Sequence, residues 1–118
     1  MAVRHLEAEV RQERGGVVLD LRGEINGFAQ EVLDAAYAEA DAKDTKTILL
    51  NFEEVDYINS TGIALIVGLL AKARVSKRRL VAFGLSDHYV EIFEITRLSD
   101  FMSVFPDEES AISETSVS

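Results

Sequence analysis

Asn59-Ser60-Thr61-Gly62 sets one amide and two hydroxyls in consecutive positions immediately ahead of a long apolar run. Where such a run forms a helix, its first backbone N–H groups have no partner inside it, and side chains of these types supply one. On the ordinary reading, Asn59 or Ser60 is an N-cap and Gly62 permits close packing. The same place also suits phosphoryl chemistry. A phosphoryl group on Ser60 or Thr61 adds about −1.5 to −2 charges where the helix dipole tolerates them. The helix survives such a modification, whereas an interface built around that spot does not.

Other residue types offer less chemistry. Cysteine is absent and His5 and His88 are the only histidines, which removes disulfides, thiol catalysis, Cys-ligated zinc and multi-histidine metal sites. Glu53, Glu54 and Asp56 read as a solvated acidic loop, because no regular ligand spacing follows them. His88 beside Asp87 has neither a nucleophile nor a pocket motif near it and reads as a surface histidine at a helix start. Gly15-Gly16 and Gly23-Glu24-Ile25-Asn26-Gly27 lack the phosphate-loop pattern. Lys72, Arg74, Lys77, Arg78 and Arg79 offer either a docking patch for an acidic partner or, on the commoner reading, a solvated complement to the C-terminal dipole of the apolar helix. The expectation from these residues is a chain that holds no cofactor or metal.

The elements that must position Asn59 to Gly62 follow from hydrophobic period and turn residues. Residues 3–10 alternate weakly and suggest an edge strand. Gly15-Gly16 then turns the chain into a second strand over residues 17–23, an antiparallel hairpin. Residues 28–42 carry Phe28, Val32, Leu33, Ala36, Tyr37 and Ala40 at helical spacing, with Asn26-Gly27 as turn and cap. Residues 47–52 form a nearly continuous apolar run, as expected of a central strand covered on both faces. The helix from about 63 to 75 should bury Ile63, Ile66, Val67 and Leu70. A short strand at 80–84, a helix from Ser86-Asp87 to about Thr96 bearing Val90, Phe93 and Ile95, a last strand within 101–105 and a short helix through Ile112 complete the chain. The fold class is α/β, an α+β sandwich with a mixed four- or five-stranded sheet and three to four helices. One domain is expected over residues 1–112, with a polar tail at 113–118.

The 118 residues hold 12 Lys+Arg against 21 Asp+Glu, a formal charge of −9, and 47% are hydrophobic. Such a surface repels phosphate backbones, so neither nucleic acid nor an anionic membrane is an expected partner. The N-terminus lacks the apolar core of a signal peptide. The longest uncharged stretch, residues 57–71, is too short and too polar at its start to span a bilayer. A cytoplasmic protein with no direct membrane insertion is expected.

The segment Ile48-Leu49-Leu50-Asn51-Phe52-Glu53-Glu54-Val55-Asp56-Tyr57-Ile58-Asn59-Ser60-Thr61-Gly62-Ile63 resembles the signature of the STAS family, whose soluble members include bacterial anti-sigma-factor antagonists. That signature is a buried strand, a short loop, then Asp-Ser-Ser/Thr-Gly-Leu at a helix start. Leu21-Arg22-Gly23-Glu24-Ile25-Asn26 is similar to the family's Gly-Glu-Leu-Asp, and Leu80-Val81-Ala82-Phe83-Gly84-Leu85 to its fourth strand. Phe93-Glu94-Ile95-Thr96-Arg97-Leu98 and the stretch from Phe105 to Ile112 resemble its C-terminal part.

The resemblance implies partner switching. The unphosphorylated antagonist binds a kinase-type anti-sigma factor, which releases its sigma factor. The kinase, holding ATP and Mg²⁺ itself, phosphorylates the second hydroxyl of the motif, and a phosphatase reverses this. Carried over by position, the acceptor is Thr61, with Ser60 as its neighbour. The implied partner-binding surface is Asn26, Gly27, Tyr57, Asn59, Ser60, Thr61 and Gly62. Two positions depart from the family, since Asn59 and Asn26 stand where it usually has Asp. Thr at position 61 also occurs in scaffold and transporter-associated members, so a regulatory subunit or scaffold of a transporter or signalling complex is the alternative role. A phosphoacceptor receiver domain is rejected, because the strand at 48–52 ends in Asn51-Phe52 and no Lys follows residues 80–84.

Overall fold

The computed structural model describes residues 5–115. Its strands are Glu7–Glu13 (β1), Gly16–Ile25 (β2), Thr47–Ile58 (β3), Arg79–Phe83 (β4) and Ser103–Phe105 (β5), in one sheet of order β1-β2-β3-β4-β5. β1 and β2 pair antiparallel and every other neighbouring pair is parallel. The helices are Gln30–Asp41 (α1), Ser60–Val75 (α2), Asp87–Ile95 (α3) and Glu108–Thr115 (α4). The mixed five-stranded sheet, the hairpin and the α/β class agree with the sequence reading, and β3 is the central strand.

Alternation along β2, β3 and β4 divides the core. Leu19, Leu50 and Ala82 face the larger cluster, which takes Leu33 from α1, Ile66 and Leu69 from α2 and Phe93 from α3. Val18, Leu49, Val81 and Phe83 face the other way, toward Ala111 of α4. Ile48, Leu49 and Leu50 are all fully buried, the result expected of a strand with helices over both faces. Phe52 meets Phe93 edge to face, with ring centroids 6.0 Å apart at 84°, and so ties the middle of β3 to α3.

Several expectations change. The acidic loop at Glu53, Glu54 and Asp56 is strand: β3 continues to Ile58 by pairing with β2 alone, Arg22 opposite Glu54 and Ile25 opposite Ile58, after irregularities in register. Its buried Phe52 and Ile58 and half-buried Val55 hold the ribbon, while the acids face solvent. Phe28 lies outside α1 and is 85% exposed, because Asn26 Oδ1 accepts its N–H at 2.9 Å in a turn that delays the helix to Gln30. Asn26 therefore makes the turn and is not the cap. Ala29 occupies the N-cap position without a side-chain hydrogen bond. In α2, Ile66 and Leu70 are buried as expected, but Val67 is 47% exposed and Ile63 half-buried, with Gly62, Leu69 and Ala73 inside instead. Ile95 is exposed at the end of α3. β1 starts four residues and ends three residues later than its alternation suggested, and Val3 lies outside the described residues. α4 continues through Thr115.

Candidate functional site at the start of α2

β2 and β3 run parallel and end together at Ile25 and Ile58, so the β2–α1 turn and the start of α2 emerge side by side. Asn59 leaves the strand with extended backbone (φ −91°, ψ −179°) and caps α2: its Oδ1 accepts the Gly62 N–H at 2.8 Å. Its own N–H donates to the Ile25 carbonyl at 3.2 Å. The same carbonyl explains Gly62. A Cβ there would land on Ile25 O and come within 3.0 Å of the Ile58 side chain. Asn59 and Gly62 thus brace the helix start against β2.

Ser60 and Thr61 fill the first turn and are both exposed, with no acidic residue beside them in that turn. Across from Thr61 stands Gly27, where a Cβ would be 3.5 Å from the Thr61 methyl group. Glu24 sits opposite Tyr57 in the β2–β3 ladder, and the Tyr57 side chain is 51% exposed. The seven residues singled out from the sequence, Asn26, Gly27, Tyr57, Asn59, Ser60, Thr61 and Gly62, therefore lie together at one end of the sheet. Asn59 and Gly62 brace the helix start through the Asn59 carboxamide oxygen and backbone groups, whereas Thr61, Ser60 and Tyr57 face solvent.

Two neighbours escaped the sequence reading. Phe28, assigned there to the apolar face of a helix, projects from the turn next to Gly27 and adds a second exposed aromatic ring. On the other side, an open depression of about 350 Å³ lies between α2 and α3, with Ser60 and Ile63 on one wall and His88, Tyr89, Ile92 and Thr96 on the other. The Tyr89 hydroxyl accepts the Ile58 N–H at 2.9 Å and so holds the residue just ahead of the Asn59 cap. His88 is exposed in the first turn of α3, with its ring 4.8 Å from that of Tyr89. The available signal was the Ser86-Asp87 helix start followed by two aromatic residues, but nothing local revealed which strand end they would meet. Neither Lys nor Arg lines this depression, and Glu53, Glu54 and Asp56 are exposed along the adjoining ribbon.

The family model described as STAS domain matches residues 7–111. The chain belongs to the STAS domain family. The anti-sigma-B factor antagonist of Listeria monocytogenes serovar 1/2a is 34% identical over 82 residues, which cover 70% of this chain and 72% of that protein. The anti-sigma factor antagonist SpoIIAA in its unphosphorylated form is 26% identical, with a TM-score of 0.71 over 91% of this chain and 94% of that one. The Bacillus cell fate determinant SpoIIAA in its phosphorylated form superposes with a TM-score of 0.68 at the same identity, over 91% of this chain and 97% of that one. This STAS chain is thus similar to regulatory binding proteins. Among its described residues no helix is long and apolar enough to cross a membrane.

Proposed function

We propose that this STAS chain is an anti-sigma-factor antagonist that works in the cytoplasm as a phosphorylation-controlled partner switch. In its unmodified form it binds a kinase-type anti-sigma factor through Tyr57, Ser60, Thr61 and the Asn26-Gly27 turn, and a sigma factor is released. The observation that carries this reading is the exposed Thr61 hydroxyl in the first turn of α2, on a helix start already braced by Asn59 and Gly62. The relatives named as antagonists, and the solution of one of them in both phosphorylated and unphosphorylated forms, support it.

The chain contributes an acceptor and a surface, and its partner supplies ATP, Mg²⁺ and catalysis. Thr61 Oγ1 attacks the γ-phosphorus, an Oγ1–P bond forms, the bond to the β-phosphate oxygen breaks and ADP leaves. The hydroxyl proton passes to a base of the kinase. A phosphatase reverses the step with water, returning the hydroxyl and inorganic phosphate. Because the brace to Ile25 uses backbone groups and the Asn59 side chain, a phosphate on Thr61 leaves it intact, and free N–H groups of the first turn suit the new charge. The effect falls on the interface. Enclosing a dianion there without a compensating cation costs several kcal/mol, and about 1.4 kcal/mol is already tenfold in affinity.

The test is incubation with the cognate kinase and ATP, phosphosite mapping, and a binding assay on each form. Phosphate on Thr61, folded Thr61→Ala that binds constitutively, and weakened binding by Thr61→Glu are the expected results. Phosphate on Ser60 alone, or equal kinase affinity for modified and unmodified chains, overturns the switch. Capture of a transporter ATPase in place of a kinase would instead assign the regulatory-subunit role.

A further inference from the structure

Among the described residues, six basic side chains are ion-paired with carboxylates, and Arg74 lies over the Phe101 ring. Arg14, Lys43, Lys46 and Lys77 make no ion pair there. In a chain with 21 acids and 12 bases, four unpaired cations are unexpected, and their location is not random. Arg14 is in the β1–β2 turn, Lys43 and Lys46 in the α1–β3 connection and Lys77 in the α2–β4 connection, all at the end of the sheet opposite Thr61. Three of them, Arg14, Lys43 and Lys46, line a single open cavity of about 510 Å³.

The walls of this cavity are held in place. Arg78 donates to the carbonyls of Thr45 and Asp41 and to the Asp41 carboxylate, and Arg79 N–H donates to the Lys46 carbonyl at 2.8 Å. On the other side, a Cβ at Gly16 would land on the Thr47 carbonyl, so the hairpin turn sits directly against β3. Two carboxylates also line the space, but Glu13 is bound to Arg11 at 2.8 Å, which leaves Asp44 against three cations.

We propose that this cavity binds a phosphate-bearing small molecule through Arg14, Lys43 and Lys46. Its volume suits a small ligand, and ammonium and guanidinium groups carried into one cavity by two fixed loops match a compact, multiply charged oxyanion. The formal charge of −9 repels anions from the surface as a whole, and this cluster of unpaired cations offsets that repulsion locally. The inference does not depend on the partner-switch reading, since it concerns the opposite end of the molecule and needs no kinase.

The experiment is titration of the full chain with inorganic pyrophosphate at about 0.15 M salt, where exposed charges are strongly screened, read by backbone amide NMR shifts. Saturable shifts at Gly15, Gly16, Lys43 and Lys46 are expected. The double variant Lys43→Gln/Lys46→Gln should weaken binding about tenfold or more, Arg14→Gln should weaken it from the other wall, and Lys77→Gln should bind as the parent does. Unfolding curves matching the parent show that each variant is folded. Shifts that never saturate, shifts centred on residues 60–62, or affinity unchanged in the cavity variants overturn the site. A poly-glutamate peptide that saturates these amides where pyrophosphate does not overturns it in favour of an acidic polypeptide.

Discussion

The Ile25 carbonyl accepts the Asn59 N–H and occupies the space a side chain at position 62 would need. Because the obstruction is backbone in a central strand, it cannot move aside as a flexible side chain would. Gly62→Ala should therefore destabilise the fold by about 1–3 kcal/mol, measurable by denaturant unfolding. The cap responds differently to charge and to deletion. Asn59→Ala removes the acceptor of the Gly62 N–H and should cost about 1 kcal/mol, while Asn59→Asp keeps the cap and should leave stability near the parent's. If the switch reading holds, Asn59→Asp alters kinase affinity without altering the unfolding midpoint. A third substitution tests the link from α3. Tyr89→Phe strips the Ile58 N–H of its partner and should cost about 1–3 kcal/mol. A midpoint unchanged from the parent would show that Tyr89 does not hold this corner.

The elements show which parts of this architecture were readable from a single sequence. Elements with a nearly continuous apolar run, such as β2 and the first half of β3, or with apolar residues at helical spacing, such as α1, came out close to their positions. Asn59 to Gly62 came out as a capped helix start because capping is local chemistry. The misses involve partners distant in sequence. β3 continues through three acids only because β2 lies alongside to pair with them. α2 is apolar nearly all round, so period alone did not reveal that Leu69, not Val67, faces the core. The α3 wall of the depression beside Ser60 is brought there by β4 and α3, more than 25 residues downstream. The α2 assignment is checked by a pair of truncations: Leu69→Ala should cost about 2–5 kcal/mol, and Val67→Ala about 0.5 kcal/mol or less. Equal losses would mean that the helix is rotated from its described orientation.

At the scale of the molecule, the sheet has unequal covers, three helices on one face and the short α4 on the other. α4 buries Ala111 against Val18, Leu49, Val81 and Phe83, a small apolar contact, and ionic contacts add to it. Arg11 on β1 donates to Asp20 on β2 at 2.6 Å and to Glu108 at the start of α4 at 2.5 Å, while Asn51 on β3 donates to Asp20 at 2.8 Å. Burial pushes the Asp20 carboxyl toward its neutral form, but the hydrogen bonds from Arg11 and Asn51 outweigh it and hold the group below its ordinary 3.8. Asp107, just ahead of α4, is also held low, by the Ser110 N–H and hydroxyl. A carboxyl depressed in the folded state stabilises fully above its unfolded value, and that stabilisation is lost as pH falls through the lower folded value. Both groups therefore make stability fall below about pH 3.8, and neither produces a change between neutral pH and that range. The loss should begin at α4, the element with the smallest apolar anchor, so its amides should exchange with solvent at higher pH than those of β3 during acid titration. Asp20→Asn keeps much of the shape but removes the titrating charge. It should lower stability at neutral pH and flatten the acid limb of the curve. An acid limb as steep as the parent's in that variant would assign the pH dependence to other carboxylates.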